Sequence, residues 1–509
     1  MSISQKVLSK EQAFQMTLNN QKKSNKPRIV LCHGVFDLVH PGHIEHFSQA
    51  KALGELLIVS ITADEFIKKG PDRPYFNQER RAHFLASLEF IDFVYIVHSD
   101  SAEESIRLFQ PDFYVKGPDY RDFNQDITGK IRVEEKLVES FGGKLMFTSG
   151  FTSSSTHLIN NSLISQDTEL RKWINEFKKK FVTDDVMNWI DRLKSVEVNI
   201  LGESIIDVYT DCKPMAKSSK DPILAFEKHG TQKYLGGVLA IADSCSFWSE
   251  STEVFSACGQ DFESLFREVG KNVSFRKSYI VMNDRPTIVK HRYVDKLSGV
   301  KVFEYYNYNP DEFELQRQTE IFNQFEKKLL GRPLFILADY GHGFFGDYLI
   351  GQMSKSSAFL AVNAQSNAGN RGFNTFSKYP RIDFLSLNGG ELELELRKKN
   401  FKYDEVIPTI MEDKQCRYAV VTLGGDGLLV FDSNGGWVRV PALASKIVDK
   451  VGAGDSVLAM ASMLAYLSAP IEIIGLLSSV VACFEVSQLG HKESLDIVDM
   501  KRFVKGLLG

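Results

Sequence analysis

"RIVLCHGVFDLVHPGH", residues 28–43, sets an apolar, β-branched run against a Pro-Gly flanked by histidines. The run over 28–36 predicts a strand. Pro41 predicts a helix start, because proline's missing N–H would be unpaired in a first turn anyway. His40 and His43 then fall in that turn, where free backbone donors and the positive dipole end receive phosphate. Two imidazoles there can donate to phosphate oxygens and stabilise charge as it grows in a transition state. A zinc reading is weaker: His46 lies six residues from His40 and points away on a helix, and no carboxylate or cysteine completes a tetrahedral set. A third reading makes the histidines helix caps without chemistry.

Working outward, strand-like and helix-like segments alternate. A helix over 43–54 is followed by a strand at 55–63, a helix at 77–90 and a strand at 91–97. A helix at 101–110 and a strand at 112–117 close the series. Alternation at this spacing predicts a parallel sheet with helices on both faces, whose ligands sit at the carboxyl ends of the strands. Residues 163–195 are charged and helical and predict a linker. A second alternating series runs from "VEVNILGESIIDVY" (196–209) to 509. The expected domains are therefore 25–162 and 196–509.

Composition restricts the function. With 509 residues the chain exceeds one ordinary core. A formal charge of −4 gives no electrostatic footprint for nucleic acid or an anionic membrane. Six cysteines lie far apart with no Cys-x-x-Cys pair, the pattern of free thiols in a reducing compartment. The apolar stretch 456–490 is split by Pro470 and Glu472, which suits two buried helices better than a membrane span. The N-terminus has no signal-peptide core. A cytoplasmic protein is expected.

The strongest motif of the second series is "DKVGAGDSVLAM", residues 449–460. Gly452, Ala453 and Gly454 at a helix start leave backbone N–H groups open for an anion. Asp455 beside such an anion hole would be poorly placed for holding phosphate alone, since the two repel. It makes sense as a base that deprotonates a hydroxyl while the N–H groups stabilise the transferred phosphoryl group. The bland alternative is a glycine turn with a capping aspartate.

Two resemblances follow from these residues. "GVFDLVHPGHIEHFSQAKALG", with "KKGPDRPYFNQERRAHFLASLEFID" (68–92), "PDFYVKGPDY" (111–120) and "FTSSSTHLIN" (151–160), resembles the HxGH nucleotidyltransferase superfamily. Within it the segment is similar to the nucleotidyltransferase half of the bifunctional heptose-phosphate kinase and heptose-1-phosphate adenylyltransferases. The resemblance implies a Rossmann-like domain in which His40, His43 and Lys116 are catalytic. Gly34, Phe36, Asp37, Gly42, Lys69, Arg73, Arg80, Ser153, Ser154, Ser155 and Thr156 would contact the nucleotide, which is ATP or CTP. Pro41 departs from the alanine common in those enzymes.

"VGAGDS" resembles the ribokinase family of sugar kinases, with "GESIIDVY" (202–209), "YLGGVLAIA" (234–242), "TIVKHRYV" (287–294), "ADYGHG" (338–343), "NGGE" (388–391) and "VTLGGDG" (421–427) in the family's order. This implies a ribokinase-like α/β domain with a small β lid. Asp455 would be the base, Gly452, Ala453 and Gly454 the anion hole, and Asp207, Gly236 and Gly237 the sugar site. Asn388 and Glu391 would organise Mg2+ through water, and Thr422, Gly424 and Gly427 would lie along ATP. His342 stands where the heptose-phosphate kinases have lysine, and 362–372 lacks their Asp-Pro-Lys-Gly. The order of the halves is also reversed.

The combination implies a two-domain α/β enzyme of nucleotide-sugar synthesis. It would use ATP and Mg2+ to phosphorylate a sugar or sugar phosphate, then transfer a nucleotidyl group to a heptose-like sugar 1-phosphate. A homodimer is expected, with no zinc. Two alternatives stay open: a cytidylyltransferase and kinase acting on another sugar or polyol phosphate, or one catalytically silent, regulatory half.

Overall fold

The computed structural model describes residues 3–21, 26–67, 74–117, 130–149, 168–217, 223–270, 273–444 and 447–508. Its contacts divide the chain into two compact units. One is Met1–Gln166 with Lys501–Gly509; the other is Asp167–Met500.

The first unit holds a six-stranded, all-parallel sheet. Its strands are β1 (Val7–Leu8), β2 (Ile29–Gly34), β3 (Leu56–Thr62), β4 (Phe93–Val97), β5 (Phe113–Lys116) and β6 (Lys144–Phe147), in the order β1-β4-β3-β2-β5-β6. Sequence patterning found the four middle strands. It missed β1 and β6, which are short edges with little apolar signal, so the series does not end at β5 as expected.

Both faces of the sheet are covered, which is why β2 reads as an unbroken apolar run. Val30 and Cys32 pack with Phe47, Leu57 and Val59 on one face, while Ile29 and Leu31 pack with Ile58 and Tyr114 on the other. From β2 the chain moves outward to β3 and β4, then returns across β2 to β5 and β6. The order therefore reverses between β2 and β5, where a crevice opens at the strand carboxyl ends.

The second unit has two sheets. The larger contains β7 (Glu197–Gly202), β10 (Ser251–Gly259), β11 (Arg276–Met282), β14 (Leu334–Asp339), β15 (Phe359–Ala364), β16 (Phe384–Asn388), β17 (Tyr418–Thr422), β18 (Leu428–Asp432) and β19 (Trp437–Val440). The order is β11-β10-β7-β14-β15-β16-β17-β18-β19, parallel as far as β17 and antiparallel beyond. The smaller sheet, the expected lid, joins β8 (Ser204–Lys217), β9 (Leu224–Gly237), β12 (Ile288–Asp295) and β13 (Lys301–Asn307) in the order β13-β12-β8-β9. The stretch 196–209 thus serves both sheets, with Glu203 at the break.

Helices cover both faces of the large sheet. Ile321, Leu349, Leu392 and Ile407, from four helices, share one core with Leu201, Phe335, Leu385 and Val421. The stretch that resembled a span forms the helices Ala453–Tyr466 and Ile471–Val486, which are buried along most of their length. Among the described residues no helix is long and apolar enough to cross a membrane. The charged segment expected as a linker forms the helices Thr168–Lys180 and Thr183–Arg192, and the second of these buries Val186 and Ile190.

Two candidate active sites

In the first unit the helix Pro41–Lys51 starts where β2 has ended, beside the crevice. His40 is its N-cap: Gly42 N donates to His40 Nδ1 at 3.2 Å, and His40 N donates to His43 Nδ1 at 3.4 Å. Two imidazoles thus form the reciprocal cap that Ser and Glu usually supply. The capping and phosphate readings do not compete. A backbone N–H on Nδ1 requires a lone pair there, so each neutral ring carries its hydrogen on Nε2. The rings lie 3.9 Å apart, and His40 Nε2 is buried without a hydrogen-bond partner. Burial lowers the His40 pKa, which favours the neutral donor.

The loop before the cap is fixed from below. Asp37 accepts N–H bonds from Tyr75 at 2.9 Å and Phe76 at 3.0 Å, and Phe36 takes a left-handed φ of 47° with its ring edge-on to His43. Arg81, which sequence reasoning did not single out, is fully buried. It donates to Val35 O (2.6 Å), Thr62 O (2.8 Å), Phe76 O (3.0 Å) and Asp64 Oδ1 (2.6 Å). Its neighbour Arg80 is exposed, with its backbone N capped by Asn77.

Lys116 ends β5, next to β2, and is 8% exposed. It pairs with Glu134 at 3.4 Å, a residue also missed from sequence. Glu134 further accepts from Ala102 N and Tyr114 Oη; burial pushes its pKa up, but Lys116 and these donors bring it below the ordinary value. His33 bonds Ser60 at 2.9 Å, and burial drives its pKa down to about 3, so it serves the sheet as a neutral ring. Gly34 ends β2, and Gly42 lies in the helix's first turn. The structure brings His40 and His43 together at the β2 end and sets Lys116 on the adjoining strand. Lys69, Arg73, Ser153, Ser154, Ser155 and Thr156 lie outside the described residues.

In the second unit Gly452, at φ 90°, starts the helix Ala453–Tyr466 and places Asp455 in its first turn. Asp455 Oδ1 accepts both Tyr340 Oη (3.0 Å) and Gln365 Nε2 (2.8 Å), which leaves Oδ2 for another donor. Burial lifts the Asp455 carboxyl to about 6 against the pull of Tyr340. Gln365 belongs to the stretch 362–372, which thus supplies a ligand to the candidate base.

The lid contributes Asp207, which pairs with Arg292 from β12; Arg292 also meets Glu304 at 3.3 Å. Gly236 lets the chain come close to Asp207: a Cβ there would lie 2.6 Å from Asp207 Oδ2, so the carboxylate would have to shift. Gly237 follows at φ 57° and caps the helix Val238–Trp248. Lys290, two residues before Arg292, is buried beside the rings of Tyr306 and Tyr340, and burial lowers its pKa. Lys290 is the register partner of Asp207 and lies by the ring of Tyr340, which donates to Asp455, so the three charges share one recess. Sequence reasoning quoted Lys290 and Arg292 without giving them roles.

Beneath this recess Glu203 accepts N–H bonds from Tyr340 (3.1 Å) and His342 (3.0 Å). Burial, and then Asp339, push its carboxyl up to about 7. Burial drives His342 down to about 3, so its ring is neutral. Its Nε2 is buried without a partner.

Asn388 and Glu391 form a capping box: Asn388 N donates to Glu391 Oε2 at 2.9 Å and Glu391 N to Asn388 Oδ1 at 2.9 Å. Ser366 N donates to Glu391 Oε1 at 3.3 Å, and burial raises the carboxyl to about 7. Each oxygen retains a lone pair, which fits contact with a cation through water. Among the described residues no cluster of three His, Cys, Asp or Glu could hold a metal directly. Asn388 is the register partner of Thr422, and Gly424 and Gly427 shape the turn that follows at φ 62° and 87°.

Comparison with known proteins matches residues 31–161 to the cytidylyltransferase-like family and residues 197–497 to the pfkB family of carbohydrate kinases. The bifunctional protein HldE of Nitratiruptor sp. is 42% identical over 120 residues, 23% of this chain and 26% of that protein. The HldE of Syntrophotalea carbinolica is 40% identical over 119 residues, 23% of each chain. The chain spans about a quarter of the length of the curated relatives it matches. Phosphofructokinase-2 from Escherichia coli in complex with fructose-6-phosphate aligns at a TM-score of 0.49 and 16% identity, over 61% of this chain and 99% of that one. Ribokinase from Thermotoga maritima aligns at 0.47 and 16%, over 61% and 99%.

Proposed function

The chain belongs to the pfkB family of carbohydrate kinases and also carries a cytidylyltransferase-like domain, and from that premise we propose that it is a bifunctional enzyme of nucleotide-sugar synthesis. The kinase unit transfers the γ-phosphoryl group of ATP to a hydroxyl of a sugar or sugar phosphate. Asp455 takes the hydroxyl proton on Oδ2, the new O–P bond forms as the bond to ADP breaks, and the N–H groups of Gly452 to Gly454 meet the phosphoryl charge. Glu391 and Asn388 would hold Mg2+, which would offset the charge of the phosphates.

The nucleotidyltransferase unit joins ATP or CTP to a heptose-like sugar 1-phosphate. The sugar phosphate oxygen attacks the α-phosphorus and pyrophosphate leaves, while the Nε2–H groups of His40 and His43, with Lys116, offset the charge. We place both activities in a cytoplasmic homodimer with the domain limits expected from sequence.

One observation carries the reading: Asp455 stands at the head of a glycine-started helix with one carboxylate oxygen held and the other open. The neutral His342 favours a second reading, in which the acceptor is another sugar or a polyol phosphate. The test is a panel of nucleoside triphosphates against sugar 1-phosphates with pyrophosphate release as readout, run beside ADP release on heptose, hexose and polyol phosphates. Turnover with heptose phosphates supports the first reading, and turnover with the others alone supports the second. No turnover in either half removes the proposal.

A further inference from the structure

Below the Gly452 turn, apart from the groups given roles above, lies a buried charge cluster. His491 Nδ1 is 3.2 Å from Glu485 Oε1, its Nε2 is 3.1 Å from Asp243 Oδ2, and its side chain is 6% exposed. An ionised carboxylate only accepts, so both ring nitrogens must donate and the ring is an imidazolium. Ser494 Oγ donates to Asp243 at 2.8 Å, and Gln488 Nε2 donates to Glu485 Oε2 at 3.3 Å. Burial alone would lower the His491 pKa, but the bonds to Asp243 and Glu485 carry it up to about 10.

The cluster ties together three elements of the kinase site. Asp243 stands on the helix that starts at Gly237, and Glu485 on the last turn of Ile471–Val486. A Cβ on Gly452 would lie 2.6 Å from Glu485 Oε1, so this carboxylate is the floor of the glycine turn. Next to His491, Gly490 N donates at 3.3 Å to Asp449, which pairs with Lys301 at the entrance to the same turn. An unneutralised Glu485 would repel phosphate groups held above it. The imidazolium, shared between Glu485 and Asp243, offsets part of that repulsion and fixes where the carboxylate sits.

We propose that His491 is a positioning residue for phosphoryl transfer, a fixed cation that holds Glu485 beneath Gly452 and keeps the N–H groups of 452–454 aimed at the phosphoryl group. The proposal rests on the kinase reading of residues 197–497.

The test uses the full chain and amide hydrogen exchange over 449–456, with affinities for MgATP and for MgADP with aluminium fluoride, a mimic of the transferred phosphoryl group. His491→Gln should speed exchange of the turn roughly tenfold or more. It should weaken the aluminium fluoride complex far more than MgATP, and imidazole should restore protection in His491→Gly. Asp243→Asn keeps the ring but removes one carboxylate, so protection of the turn should acquire a pH transition below 10. Unchanged exchange and pH dependence in both variants would overturn the proposal. An unmodified chain that binds MgATP in neither assay would instead defeat the kinase reading, and the exchange data would still decide whether His491 orders the turn.

Discussion

Tyr340 donates its phenolic hydrogen to Asp455 Oδ1 across 3.0 Å, and that bond decides which side of the carboxylate is left for chemistry. Gln365 Nε2 donates to the same oxygen at 2.8 Å, so both protein donors share Oδ1. Two opposing effects set the basicity. Burial raises the carboxyl to about 6, while Tyr340 and the charge of Lys290 keep it from rising further. A base near the working pH accepts a proton readily and is still mostly ionised at neutrality.

Replacing the base separates chemistry from binding. Asp455→Asn keeps the size and the helix start but cannot take the hydroxyl proton, so kinase turnover should fall by roughly 10²–10⁴-fold. MgATP affinity should hold or rise, because a carboxylate beside phosphates repels them. Turnover and nucleotide affinity measured on the same variant decide the matter, and unchanged turnover would take Asp455 out of the mechanism.

The pH dependence follows from the same group. The ionised form is the active one, so kinase turnover should climb as pH rises through about 6 and level off above it. Tyr340→Phe removes a bond that stabilises the carboxylate, which should move this acid limb to higher pH. A limb that stays in place would mean that another group controls the rate.

In the first unit, His43→Ala removes one Nε2–H donor and the acceptor that holds His40 N. Losing one donor to a developing oxyanion costs about 2.7–4 kcal/mol, so nucleotidyl transfer should drop by 10²–10³-fold. Sugar phosphorylation, carried by residues of the other unit, should change little. Parallel loss of both activities in a folded variant would contradict independent sites.

Local pattern made much of this legible. The apolar run of β2 and the placement of Pro41 were enough to put His40 and His43 at a helix start, and the glycines before Asp455 marked the left-handed turn that opens its helix. What pattern could not reach depends on pairings far apart in sequence. Lys290 and Arg292 alternate with His291 and Tyr293 along β12, and only the pairing with β8 sets Arg292 against Asp207. Gln365 reaches Asp455 from 90 residues away, and Glu203 serves two backbone donors more than 130 residues distant. Glu134 was one acid among several on its helix until β5 placed Lys116 beside it.

Arg80 and Arg81 show the same limit at a single step, and they give the last prediction. Sequence reasoning takes Arg80 as the phosphate contact and passes over Arg81, yet it is Arg81 that turns inward, where it donates to three carbonyls and Asp64. Arg81→Met would leave Asp64, part-exposed and still held by Gln78 N, but would take the donor from the Val35, Thr62 and Phe76 carbonyls and free the Val35 end of the loop that leads to His40. Leaving buried carbonyls without their donor costs about 1–3 kcal/mol. Arg81→Lys should recover little, because one ammonium cannot replace a fork that spans four acceptors. Arg80→Ala, at an exposed position, should change stability by less than about 0.5 kcal/mol. The four tryptophans (Trp173, Trp189, Trp248 and Trp437) all lie beyond residue 166, so their fluorescence reports the other unit. Hydrogen exchange of the β2 and β3 amides is the suitable probe. Those amides should lose protection in Arg81→Met and keep it in Arg80→Ala, where any loss of nucleotidyl transfer would then reflect a phosphate contact. Equal protection in the two variants would show that Arg81 is not what fixes the loop.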